Sequence, residues 1–172
     1  VEGNYYRKLG KERTVKNFPI PANNGNVYSA DGSLLATSIP EYAIYFDAVA
    51  PSDENFKENV EALSDSLSIM FGKSSGHYQA KLQKARANKS RYVFIAKKLS
   101  YTEQMRLKSF PLFNKGANKG GLIIEQEIVR EHPIGLVAKR TIGYERSNED
   151  GKGLEIAFRD YLNGKNGHRM MQ

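Results

Sequence analysis

Apolar residues recur at three- and four-residue spacing between positions 53 and 71: Phe56, Val60, Leu63, Leu67, Met70 and Phe71, with polar residues between them. That spacing predicts a helix with one buried stripe. Ser52 or Asp53 is placed to cap its start, and Gly72 follows its end. A second helix is predicted over 76–88, with Tyr78, Leu82 and Ala85 turned inward and a basic outer face. Ser100 and Glu103 have capping-box spacing and open a short helix to about residue 108. Elsewhere the period falls to two. Tyr42, Ile44 and Phe46 alternate with Ala43, Tyr45 and Asp47, as in a strand with one face buried. "RYVFIAKKL" reads as another strand, with Tyr92, Phe94 and Ala96 alternating as a core face would. Asp31-Gly32 between two β-prone runs marks a hairpin turn. "LIIEQEIVREH" predicts a strand over 122–131.

The remaining stretches are shorter. "NYYRKLGKER", from residue 4, reads as a short helix that passes into the extended, Pro-punctuated "TVKNFPIPA". Residues 1–23 together read as an arm leading into the domain. "NKGANKGG" reads as a surface loop, or as a backbone cradle for an anion. Pro133 suits the first turn of a helix over "PIGLVAKRTIG", and "GLEIAFRDYLNG" suits an amphipathic helix bearing Leu154, Ala157, Phe158, Tyr161 and Leu162. Strands and helices mix without strict βαβ alternation, so the expected class is α+β.

Composition narrows the function classes. The 172 residues suffice for one medium domain or two small lobes, with 40% apolar and 26% charged residues. No apolar run reaches the roughly 18–20 residues that span a bilayer. Val1 is followed at once by "EGNYYRKLGKER", without a leader pattern, so the chain reads as a mature or excised piece. Cysteine is absent, which excludes thiol catalysis, disulfides and cysteine-based zinc sites. The net charge of +7 favours anionic partners, and it is densest in "KLQKARANKSR", where Lys81, Lys84, Arg86, Lys89 and Arg91 stand without an acid. A solvated helix face and a binding face for an acidic polymer or glycan both fit that run.

Candidate chemistry is sparse. His77, His132 and His168 lack metal-type spacing, so no metal is expected. "GKGLE" is not a phosphate-binding loop, because no Gly-Lys-Ser/Thr closes it. No Gly-x-Ser-x-Gly elbow occurs, and none of the thirteen serines is followed three positions later by lysine. No cofactor motif and no catalytic residue is assigned. "KSRYVFIAKK" interleaves Arg91, Tyr92, Phe94 and Lys97 but lacks the Gly-rich signature of an RNA-binding strand, so nucleic acid is not an expected partner.

Three blocks, in order, carry a resemblance. "NGNVYSADGSLLATS" (24–38), "REHPIGLVAKRTIGY" (130–144) and "GKGLEIAFRDYLNGKNGHRMMQ" (151–172) resemble the N-terminal pedestal, or dimerisation, module of class B penicillin-binding proteins. In the first block Gly25, Val27, Gly32, Leu35 and Ala36 stand in register with the family pattern, Asn24 takes its arginine position, and Ser29-Ala30 replaces Asp-Arg. In the second, Arg130, Pro133, Gly135, Ala138, Gly143 and Tyr144 match, with His132 in an aromatic slot. In the third, Gly153, Leu154, Glu155, Phe158, Leu162, Gly164 and Gly167 match. "SLLATSIPEYAIYFD", "FPLFNKGANKGGLI" and "RTIGYE" look most like the division-type transpeptidase of Bacteroidetes.

The resemblance implies a fold of mixed short strands over 24–172 with a helical insert at about 50–118. It implies a parent anchored on the periplasmic side of the inner membrane by one helix preceding this chain. A serine-type D,D-transpeptidase domain, absent here, would follow. Expected partners are that domain, a membrane glycosyltransferase of the shape, elongation, division and sporulation family, division or elongation proteins, and a second copy, with peptidoglycan nearby. Residues 130–144 are then expected to form a structural joint between lobes. Arg130 would offer its planar fork to Glu155, Pro133 would start a helix, and Gly135 would admit a neighbouring backbone. The residues of that joint are Gly25, Gly32, Arg130, Pro133, Gly135, Gly143, Gly153, Leu154, Glu155, Gly164 and Gly167. Lys81, Lys84, Arg86, Lys89, Arg91 and Lys119 are the candidate partner surface.

Overall fold

The computed structural model describes residues 16–20, 22–135, 138–145 and 151–171. The short helix expected from residue 4 lies outside the described residues. The chain divides into two compact units: residues 1–39 with 130–172, and residues 40–129.

The second unit is built around the helix that the spacing predicted. Helix α1 covers Asp53–Phe71 and buries Phe56, Val60, Leu63 and Leu67. Its start is closed by Ser52, whose hydroxyl accepts the Asn55 N–H at 3.2 Å. Its end is closed by Gly72 at φ 76°, whose N–H reaches the Ser68 carbonyl at 2.8 Å. Helix α2, Ser75–Ala87, buries Tyr78, Leu82 and Ala85, the three inward positions expected. Helix α3, Tyr101–Lys108, carries the full capping box: Ser100 Oγ accepts the Glu103 N–H, and Glu103 accepts the Ser100 N–H at 2.8 Å. These helices share a core with strand β3 (Leu34–Phe46) and strand β4 (Val93–Leu99), through Ile44, Phe46, Ile95 and Leu99.

Two expectations fail in this unit. On β4 Val93 and Ile95 join the core and Ala96, the third residue of the expected face, packs against it, while Tyr92 and Phe94 are 54% and 44% exposed. The pairing explains it. Tyr45↔Phe94 are cross-strand partners in register, and Tyr45 points away from the Ile44–Phe46 face. Second, "NKGANKGG" is exposed over 114–119 but is not an irregular loop. It forms a 3-10 turn, Phe113–Lys115, and a short helix α4, Gly116–Gly120. Gly120 and Gly121 are buried, and Asp47 donates its N–H to the Gly121 carbonyl at 2.7 Å.

The first unit is assembled from both chain ends. Strand β1 (Lys16–Ile20), in the segment read as an arm, pairs antiparallel with β8 (Gly167–Met171). Pro19 is tolerated there because a two-stranded ribbon is all edge. Strand β2 (Val27–Tyr28) turns at Asp31-Gly32 onto β3, with Gly32 donating to the Ser29 carbonyl at 3.0 Å. Strand β5 (Leu122–Glu131) pairs with β3. A hairpin of β6 (Tyr144–Glu145) and β7 (Gly151–Lys152) follows.

The helix expected from Pro133 does not form. Residues 133–135 are a turn, closed by Gly135 donating to the His132 carbonyl at 2.9 Å. Helix α5 is a single turn, Lys139–Ile142. Gly135 at φ 65° has open space where a Cβ would go, so it serves the turn conformation and not a close backbone approach. The C-terminal helix is likewise two one-turn pieces, α6 (Leu154–Ala157) and α7 (Arg159–Leu162), broken at Phe158.

Candidate functional site

In the first unit the three sequence blocks meet at one buried ion pair. Arg130, near the end of β5, donates from Nε to Glu155 Oε1 at 2.9 Å. Its Nη2 lies 2.8 Å from the same oxygen, off the line of a second hydrogen bond. Nη1 reaches the other side, to Ser38 Oγ at 3.0 Å and the Asn24 carbonyl at 3.4 Å. Ser38 in turn donates its hydroxyl to that carbonyl at 3.0 Å. The Glu155 side chain is 1% exposed and that of Arg130 19%. Removing two charges from water to this degree is favourable only with good geometry on both partners. The Nε bond to Glu155 and the Nη1 bonds to Ser38 and Asn24 supply it, tying a carboxylate on α6 to the 24–38 segment.

Glycines mark close backbone approaches elsewhere in the same unit. Gly143 at φ 75° stands where a Cβ would fall 1.7 Å from the Lys152 carbonyl oxygen. Gly153 at φ 77° would place one 2.4 Å from the Thr141 oxygen. Each lies against the other's neighbour, so 139–143 and 151–153 are locked backbone to backbone. Gly25 donates to the Leu162 carbonyl at 2.8 Å, Gly164 lies against Ala22, and Gly167 pairs with Ile20. Leu154 is half-buried, Pro133 is exposed, and Gly32 sits at the hairpin turn with open space around it. Thus Arg130, Glu155, Gly25, Gly143, Gly153, Gly164 and Gly167 take part in the packing of this unit, while Pro133, Gly135 and Gly32 shape turns.

The basic residues of the second unit are more divided than the sequence suggested. Arg86 turns inward. Its Nη1 donates to the Ala48 carbonyl and, at 2.7 Å, to the Pro51 carbonyl, and its Nη2 contacts Asp53. The guanidinium also lies 5.4 Å from the Phe56 ring centre. It clamps the 47–53 loop and is not available to a partner. This contact holds the Asp53 carboxyl below its ordinary range, through the Arg86 hydrogen bond first and its charge second. Lys81 is half-buried, with its ammonium 5.6 Å over Phe94. Lys84, Lys89, Arg91 and Lys119 are exposed.

Sequence reasoning missed an aromatic cluster on the outer sheet face. Tyr45 and Tyr92 stack at 4.0 Å between ring centres, and Phe94 meets Tyr45 edge-on at 5.8 Å. A hydrogen bond to Glu125 on β5, then burial and Tyr45, push the Tyr92 hydroxyl well above the usual tyrosine range. The signal was the doubled alternation of "YVFIA", in which both faces are apolar. Among the described residues no cluster of three His, Asp or Glu could hold a metal, and no helix is long and apolar enough to cross a membrane.

A mixed α/β module whose first and last segments are knitted together by a buried Arg–Glu pair defines the class. Residues 19–172 match the penicillin-binding protein dimerisation domain family, and the chain belongs to it. It is 25% identical over 170 residues to the probable peptidoglycan D,D-transpeptidase PenA of Neisseria meningitidis serogroup A, covering 97% of this chain and 26% of that protein. It is 24% identical over 169 residues to the peptidoglycan D,D-transpeptidase FtsI of Escherichia coli K12, covering 96% of this chain and 26% of that protein. The chain thus spans about a quarter of the length of the curated relatives it matches. Penicillin-binding protein 2X from Streptococcus thermophilus shares the fold, with a TM-score of 0.65 over 89% of this chain and 24% of that one, at 21% identity.

Proposed function

We propose that this chain is the non-catalytic pedestal of a membrane-anchored peptidoglycan D,D-transpeptidase of the serine type, and that it holds the catalytic domain at the periplasmic face of the inner membrane. The observation that carries the reading is the buried Arg130–Glu155 pair, which joins the three blocks shared with that family at a site without a nucleophile–base arrangement among the described residues. Ser38, the one hydroxyl in the network, donates to a backbone carbonyl and accepts from Arg130. Among the described residues it bonds no His, Asp or Glu that could act as a base. A rigid joint suits a scaffold, since its value lies in fixing one geometry.

The resemblance to the division-type enzyme of Bacteroidetes extends the proposal to cell division. The partners would be the parent's own transpeptidase domain, a membrane glycosyltransferase, small division proteins and a second copy. Exposed Lys84, Lys89, Arg91 and Lys119, with Tyr92 and Phe94, are the surfaces the second unit offers such partners. The alternative of a stand-alone module for an acidic polymer or glycan is weakened, because Arg86 and Lys81 are already engaged by backbone carbonyls and an aromatic ring.

The test uses the full-length parent carrying Arg130→Glu. Acylation by a fluorescent penicillin is expected to proceed at the parental rate, while complementation of wall synthesis fails. Adding Glu155→Arg is expected to restore complementation in part. Complementation by the single variant at the parental level would refute the scaffold role, and loss of acylation in step with complementation would place the joint in catalysis.

A further inference from the structure

A second feature of the first unit is independent of the scaffold reading. The locked segments 139–143 and 151–153 border a cleft of about 770 Å³. Lys139, Arg140 and Thr141 on α5, Tyr144 on β6 and Lys152 on β7 line it. No Asp or Glu lines it among the described residues. Lys139, Arg140 and Lys152 make no ion pair among the described residues. Three like charges around one opening repel one another, and an anion seated between them relieves the repulsion. The two walls approach backbone to backbone, since a Cβ on Gly143 would fall 1.7 Å from the Lys152 carbonyl oxygen.

We propose that this cleft binds a phosphate-bearing ligand. The volume lies within the range of small-molecule sites and exceeds what a single inorganic ion fills, so an anion carrying further groups fits it. Arg140 supplies the planar fork that matches two phosphate oxygens, Lys139 and Lys152 supply point charges, and the Thr141 hydroxyl supplies a neutral donor. A phospholipid headgroup and a soluble phosphate compound present the same chemistry. These four exposed donors recognise the phosphate in either.

The experiment titrates the 172-residue chain with inorganic pyrophosphate, followed by the amide resonances of residues 138–152, and separately with vesicles containing phosphatidylglycerol. Arg140→Gln and Lys152→Gln replace exposed side chains and leave the Arg130–Glu155 pair untouched, so circular dichroism is expected to be unchanged. Saturable pyrophosphate binding is expected, weakened about ten-fold in each variant as one charge-assisted hydrogen bond is lost. It should weaken further as added salt shortens electrostatic reach. Vesicle binding lost in the same variants identifies a headgroup. Pyrophosphate binding without vesicle binding identifies a soluble phosphate compound. The proposal is overturned if millimolar pyrophosphate moves no resonance of the cleft, if both variants bind as the parent does, or if an oligoglutamate peptide saturates the site and pyrophosphate does not.

Discussion

Glu155→Gln removes one charge from the buried pair while keeping the shape of the side chain. Glu155 is 1% exposed and Arg130 19%, so the guanidinium left behind has little water to compensate it. Breaking one side of a buried pair costs about 3–5 kcal/mol. Here Arg130 keeps its bonds to Ser38 Oγ and the Asn24 carbonyl, and the amide oxygen of the substituted side chain still accepts from Nε, so the lower end applies, about 3 kcal/mol. At about 1.4 kcal/mol per decade, the folding equilibrium of the first unit falls roughly a hundred-fold. Urea unfolding followed by far-ultraviolet circular dichroism reads the total. Hydrogen exchange reads the location: the Gly25 amide, bonded to Leu162, is expected to lose protection, and amides of α1 are expected to keep theirs. A loss below about 1 kcal/mol, the range of an exposed ion pair, would refute the claim that this pair organises the unit.

Other outcomes follow from single contacts. Gly143→Ala drives a Cβ to 1.7 Å from the Lys152 oxygen, whereas Gly135→Ala meets open space at φ 65°. The first is expected to lower the thermal midpoint sharply, and the second to cost about 1 kcal/mol of backbone strain. Arg86→Ala orphans the Ala48 and Pro51 carbonyls and is expected to destabilise the second unit by about 1–3 kcal/mol, while Asp53→Asn, at an 83% exposed side chain, should be close to neutral in the same urea assay. Asp31, Asp53 and Glu103 have carboxyls held below their ordinary values, by Ser29, by Arg86 and by the Ser100 backbone respectively. Between those depressed values and the ordinary ones, the unfolded chain binds more protons than the folded chain. The contribution of these carboxyls is therefore fully present above about pH 4.5 and is lost as pH falls below it. Urea midpoints at about pH 6 and about pH 3 check this, and Arg86→Ala is expected to shrink the acid loss by removing the Asp53 contribution.

The elements legible in the sequence were those whose signals agree at several levels. Helix α1 has a single apolar stripe, a serine cap and a terminal glycine, and it runs over the expected residues. The capping box at Ser100 and the turn at Asp31-Gly32 are local chemistry and required no tertiary context. The Arg130–Glu155 pair was reachable through the family pattern, which placed both residues in blocks that fold together. What failed was decided by distant partners. The face of β4 depended on its register with Tyr45, because Val93-Phe94-Ile95 is apolar on both sides. Pro133 is a good first helical residue, but the turn at Gly135 stops the helix before it starts. The β1–β8 ribbon joins residues at opposite ends of the chain, and Pro19 argues locally against a strand. The inward turn of Arg86 required carbonyls 35 and 38 residues away.

The claim that this chain is the pedestal of a transpeptidase is tested most directly by sequencing the locus on either side of it. The account predicts a reading frame with one membrane helix upstream, and Ser-x-x-Lys, Ser-x-Asn and Lys-Thr-Gly in order downstream. A stop codon shortly after Gln172, with no membrane segment before Val1, would contradict it.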